Sequence, residues 1–195
     1  MFGDPVANPM GWKMIELGDC LRGIESGKSL NCESYERANS APAVLKLSAV
    51  TYGVYQPNEN KALPDPNMFI DRSEVRDGDL LFSRKNTYEY VGMSAYVYKT
   101  PRNLMLPDLI FRLNTDDSCS RIYLWQLINH DLFRKTVSGL ANGSASSMPN
   151  ISKQKLSKLI IQLPPLYIQE QFAAFVQQTD KSKLNVITIL NYKNK

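Results

Sequence analysis

The tightest constraint on this chain is the stretch Leu163-Pro164-Pro165-Leu166. Two consecutive prolines lack two backbone donors and hold φ near −65°, so neither a strand ladder nor a helix interior runs through them. Before them stands the short apolar run LIIQL. After them, Ile168, Phe172, Phe175, Thr179, Ser182, Val186 and Ile189 recur at alternating spacings of four and three. That is a heptad-like stripe with two polar positions. The spacing predicts a strand, a break, and a long helix over about 166–193. Proline is tolerated in a first helical turn, and Glu170 falls near the positive end of the helix dipole. The double proline is therefore read as a joint between a body, residues 1–163, and a protruding helical segment, residues 164–195.

The body is read as α+β and mainly β. An apolar fraction of 43% and a charged fraction of 22% suit a packed core. KMIEL, VGMSAYVYK and a run around Leu109 to Leu113 read as strands, and LLF follows an Asp77-Gly78 turn. Ala41 to Tyr55 carries a strong strand signal with a turn near Gly53, whereas CLRGIESGKSLN looks irregular. In SRIYLWQLINHDLFRKTVSGL the apolar residues from Ile122 to Val137 fall at helical spacing, with Ser118 or Ser120 as a cap and Gly139 as the end. Ser152 is placed to cap one short helical turn. No run of 18 apolar residues is present, and the first residues lack the pattern of a secretory leader. Cys20, Cys32 and Cys119 are far apart and form no CxxC pair, which points to unpaired thiols in a reducing cytoplasm and away from structural zinc.

Net charge is +4, unevenly placed. Residues 1–149 hold 16 basic and 17 acidic side chains, and residues 150–195 hold 7 and 2. A basic segment beside a neutral body is compatible with nucleic acid. Enzymatic signatures are missing: there is no GxSxG elbow, phosphate loop or glycine-rich nucleotide turn. The only histidine, His130, falls inside a predicted amphipathic helix and reads as structural. Amino-methyltransferases share an Asn/Asp-Pro-Pro-aromatic motif, but the equivalent stretch here opens on Leu163, which cannot accept a hydrogen bond from a base. No metal set is expected, and no catalytic residue is assigned.

Three stretches mix basic, hydroxyl, amide and aromatic side chains. KLSAVTYGVYQ offers Lys46, Thr51 and Tyr52. SRKNTYEY offers Arg84, Lys85, Asn86, Thr87 and Tyr88: the first two suit phosphates or guanine, and Asn86 suits adenine. NGSASSMPNISK offers Ser146 and Lys153 beside small residues that allow close approach to a phosphate. On the helix, Ile168, Phe172, Phe175, Val176, Val186, Ile187 and Leu190 form an apolar surface with nothing evident in the body to cover it. A DNA-reading module and an assembly module are both compatible with these features.

Four segments carry a resemblance to a known family: FGDPVANPMGW, DGDLLFSRKNTYEYVG, NISKQKLSKLIIQLPPLYIQEQ and FVQQTDKSK. Together they resemble the specificity (S) subunits of type I restriction–modification systems, the bacterial defence complexes. The resemblance implies a target recognition domain over 1–163 and a coiled-coil spacer or dimerisation helix over 164–195. It implies sequence-specific binding to double-stranded DNA without catalysis by this chain. Methylation (M) and restriction (R) subunits are the implied partners, and S-adenosylmethionine, Mg and ATP are implied on them rather than here. Relatives carry two recognition domains and two antiparallel helices. A single set fits a half-subunit that forms a homodimer through its helix, a truncated allele or an excised domain.

Overall fold

The computed structural model describes residues 2–143 and 148–193, with 181–193 described as helix backbone. A four-stranded sheet forms the centre. Its members are β2 (Leu21–Ser26), β5 (Leu80–Ser83), β6 (Ser94–Tyr96) and β8 (Ile110–Thr115), in the order β2-β8-β5-β6, all antiparallel. Period-two alternation sends Leu80, Phe82, Phe111 and Leu113 to one face and Leu81, Ala95 and Ile110 to the other, and both faces are buried. The first face is covered by α2 (Arg121–Asn129), α3 (Asp131–Ser138) and α4 (Lys153–Ser157), and by the paired strands β1 (Lys13–Glu16) and β9 (Ile160–Leu163). The second is covered by α1 (Ser48–Thr51) and a small sheet of order β4-β3-β7: β4 (Asn60–Ala62), β3 (Ala43–Leu45) and β7 (Leu104–Met105). The final element is α5 (Leu166–Lys193).

Several local readings change. Only Ala43–Leu45 of the Ala41–Tyr55 stretch is strand; Ser48–Thr51 turns helically, burying Ala49 and Val50. β-rich composition reports a fit to a half-buried surface, and tertiary packing decides the backbone. The stretch from Cys20 contains β2, which a bulge between Leu21 and Gly23 and two glycines concealed. The expected single helix is two. His130 breaks it with ψ 128°, and its Nδ1 accepts from Leu132 N, capping α3. Ser120 caps α2, and Ser152 caps α4.

The joint at Pro164-Pro165 stands between β9 and α5. The Pro165 carbonyl accepts from the Ile168 and Gln169 amides. The expectation that the apolar stripe lies uncovered is corrected: Phe172, Ala173 and Val176 pack on the main core, with Phe2 edge-on to both Phe172 and Tyr123 at 4.9 Å. Gln169, fully buried, accepts from Ser120 N and donates to the carbonyls of Ser118 and Pro164. Phe175 faces outward, 62% exposed, and Ile168 is half-buried. Val186, Ile187 and Leu190 fall outside the described side chains.

One polar side chain holds the second face together. Arg112 stands opposite Glu25 across β2 and β8 and opposite Leu81 across β5. Its guanidinium binds Glu25 Oε2 at 2.6 Å, Asp79 Oδ2 at 3.0 Å, and the carbonyls of Glu74 and Arg72, each at 2.8 Å. The Arg112 hydrogen bond holds the Glu25 carboxyl below its usual range, against the opposing effect of burial. We expect Arg112→Met to cost about 3–5 kcal/mol in urea unfolding at neutral pH, because it strands the buried Asp79 carboxylate and removes the partner of the half-exposed Glu25. Glu25's contribution is complete above the ordinary glutamate value of 4.5 and is lost as pH falls through its lowered folded-state value. The difference between wild type and variant therefore shrinks on acidification; a pH-independent difference would contradict this account.

Candidate nucleic-acid interface

The three candidate stretches meet at one end of the central sheet. The loop after β5 is closed where Gly92 N donates to Ser83 O and Ser83 N to Met93 O, both at 2.8 Å. Gly92 adopts φ +80°, and a Cβ there would lie 2.6 Å from Val137 Cγ1, so only glycine suits the closure. At the loop's base Asn86 points inward and is 6% exposed. Its Nδ2 donates to Thr51 Oγ1 at 3.1 Å and Ser83 Oγ at 3.3 Å, and its Oδ1 accepts from Thr87 N at 2.9 Å. This buried network joins the second stretch to the first. Beside it, the Tyr52 and Tyr90 rings meet edge-to-face at 5.5 Å. Glu89, by hydrogen bonding and charge, raises the pKa of the Tyr90 phenol.

The third stretch joins from the other side. Asn150 bridges antiparallel to both Lys85 and Asn142. Asn86 N donates to Pro149 O at 3.3 Å and Ile151 N to Arg84 O at 2.8 Å. Arg84 Nε donates to Asn150 Oδ1 at 3.1 Å and Nη1 to Asp108 O at 3.4 Å. Its guanidinium carbon lies 5.1 Å from the Phe111 ring centre, and Lys153 Nζ lies 5.7 Å from the same ring. Thr87, Tyr52 and Tyr88 are exposed, and the Tyr88 hydroxyl donates to Gly143 O at 3.5 Å.

The structure thus brings together Arg84, Lys85, Asn86, Thr87, Tyr88, Thr51, Tyr52 and Lys153. Asn86 and Thr51 face inward and position the loop, while the tyrosines and Thr87 form its outer surface. Lys46 stands apart, paired with Glu59 at 3.6 Å. Ser146 lies outside the described residues. Asn150 and Phe111 were missed by the sequence reading. Nothing in the sequence marks a partner 66 positions from Arg84, and Phe111 read simply as core. Among the described residues no three His, Cys, Asp or Glu side chains gather as a metal site, and no helix is long and apolar enough to cross a membrane.

The family model for the type I restriction modification DNA specificity domain matches residues 9–191. The chain belongs to that family. Among relatives of this specificity family, the EcoEI specificity subunit of Escherichia coli is 33% identical over 167 residues, covering 85% of this chain and 28% of that protein. The EcoKI specificity subunit of Escherichia coli (strain K12) is 25% identical, covering 76% and 34%. The chain thus spans about a third of the length of these relatives. The HsdS subunit from Thermoanaerobacter tengcongensis superposes with a TM-score of 0.58 at 20% identity, covering 89% of this chain and 38% of that one. The type I S subunit from M. genitalium gives a TM-score of 0.62 at 12% identity, covering 93% and 42%. At those identities the structural likeness is one of fold.

Asn86→Ala is expected to cost about 1–3 kcal/mol, since it strands buried hydroxyls. Tyr88→Ala, at an exposed tip, should stay within about 0.5 kcal/mol of wild type. Paired thermal melts check both; equal effects would mean that Asn86 does not anchor the loop.

Proposed function

We propose that this chain is a non-catalytic, sequence-reading DNA module of a type I restriction–modification complex. It reads one half of a bipartite target. Methylation subunits carry S-adenosylmethionine and the base chemistry, and a restriction subunit carries the ATP- and Mg-dependent work. The observation that supports this reading best is the convergence of three sequence-distant loops into one surface with exposed hydroxyl, aromatic and basic groups over a rigid, buried base. Family membership and the naming of relatives as specificity subunits agree with it.

In this reading the loop works by division of labour. Asn86, Thr51 and Ser83 hold its base. Arg84, restrained by Asn150 and the Phe111 ring, presents its remaining N–H donors with little rotamer freedom to lose on binding. Thr87, Tyr88 and Tyr52 offer hydroxyls and flat apolar faces to base edges. Lys85 and Lys153 neutralise phosphates. The test is selection of bound duplexes from a random pool. Arg84→Ala or Thr87→Ala should relax preference at one base position, at about 1–3 kcal/mol. Unchanged enrichment in both variants would reject this placement of the reading residues.

A second reading, mainly helix-mediated assembly with little autonomous DNA binding, is favoured by one observation. Phe175 is 62% exposed while its neighbours Phe172 and Val176 are packed inward. We propose that α5 pairs as a spacer helix with another helix of its kind, in a homodimer or in a longer subunit. Phe175→Glu should reduce a dimeric mass to a monomeric one in light scattering; an unchanged mass would reject pairing through this face.

A further inference from the structure

Two clefts open beside the loop cluster. The first, about 610 Å³, lies against β2 and β8 and is lined by Lys28, Arg72, Arg76, Arg112 and Lys153 among others. The second, about 280 Å³, lies against β3 and is lined by Lys28, Lys46 and Lys61, with Asp108. Lys28 belongs to both. Its place is set by Gly27, whose amide donates to Pro107 O at 3.2 Å. A Cβ on Gly27 would stand 1.6 Å from Leu106 O, so no other residue permits this approach. Leu106 and Pro107, against which it presses, each wall one of the clefts.

The charges along this run do not cancel. Glu25 and Asp79, the acids of the first cleft, are both bound by Arg112. Lys28, Lys61, Arg72, Arg76 and Lys153 are all exposed. Among the described residues only Arg76 of these five forms a close ion pair, with Glu74 at 4.0 Å, while Lys153 also acts on the Glu25 charge. Lys153 lies at the same time against the Phe111 ring beside Arg84, so one end of the run abuts the recognition loops. Open, elongated and exposed cationic surface of this kind suits a polyanion better than a small enclosed ligand.

We propose that the two clefts, joined at Lys28, form one track for the sugar–phosphate backbone of DNA, with Lys28, Lys61, Arg72 and Arg76 as its phosphate contacts. The proposal rests on the DNA-reading function and extends it to residues that touch no base. Contacts of this class supply sequence-independent affinity and fix register, leaving base choice to the loops.

The experiment measures binding of the full chain to a random-sequence duplex by fluorescence anisotropy at several salt concentrations. Lys28→Gln, Arg72→Gln, their combination, and the control Lys13→Gln on β1 are compared with wild type. Each cleft substitution should lower the slope of log affinity against log salt by about 1, and the double variant by about 2. Base preference in the bound pool should not change, and Lys13→Gln should behave as wild type. Wild-type slope in the double variant would overturn the track while leaving the DNA reading intact. An equal loss in Lys13→Gln would overturn it in favour of diffuse attraction. Altered base preference in the cleft variants would also overturn it, since these residues would then read bases. Absence of duplex binding by wild type would overturn the DNA reading itself, and the track with it.

Discussion

A guanidinium taken out of water must find acceptors for its donors, and Arg112 finds four of them on two separate pieces of chain. It holds Glu25 on β2, Asp79 at the entrance to β5, and two carbonyls of the segment that leads there. Arg112 occupies a position where strand alternation calls for an apolar residue, beside Leu81 and on the same face as Ile110. An unpaired charge there would be intolerable, so its partners are held in place as firmly as it is. The arrangement also offsets one of the two carboxylate charges that line the adjoining cleft. The basic excess of that cleft then comes from Lys28, Arg72, Arg76 and Lys153.

Elsewhere the same ordering is done by neutral carboxamides. Asn86, Gln169 and Asn129 each donate and accept at once, which a charged side chain does not do. Asn129 binds the amide, carbonyl and hydroxyl of Ser94, tying α2 to β6. Gln169 ties the start of α5 to the entrance of α2, and Asn86 ties the loop after β5 to α1. Asn86 and Gln169 are buried and Asn129 half-buried, and all three are matched, so each fixes one geometry at small desolvation cost. The orientation of the final helix and the base of the candidate reading loop therefore depend on single amides together with the apolar packing around them.

The coarse plan was legible in the sequence because it is written in local chemistry. The double proline, the caps at Ser120 and Ser152, and the Asp77-Gly78 turn are signals spanning a few residues. Strand β2 was hidden because its glycines weaken any propensity argument, and its existence depends on pairing with β8. The Ala41–Tyr55 stretch misled because its β-branched and aromatic side chains meet a core that a single helical turn fills as well. His130 broke a helix that apolar periodicity alone would continue. At the candidate interface, residue type singled out three stretches that the fold brings together, yet could not say that Asn86 faces inward. Counting charges along the chain located the basic excess in the last quarter. The clefts draw most of their cations from residues 1–149, which hold one more acid than base, since pairing and burial, not tallies, decide which charges reach solvent.

The division of the loop after β5 into a buried base and an exposed tip has an evolutionary corollary. Residues that carry folding stability, Asn86, Ser83 and Gly92, are not those that face outward, Thr87 and Tyr88. Substitutions at the tip leave the core's interactions untouched, and substitutions at the base are purged for reasons of folding alone. Such a surface can diversify rapidly between lineages under selection for new partners, while the scaffold beneath it drifts slowly.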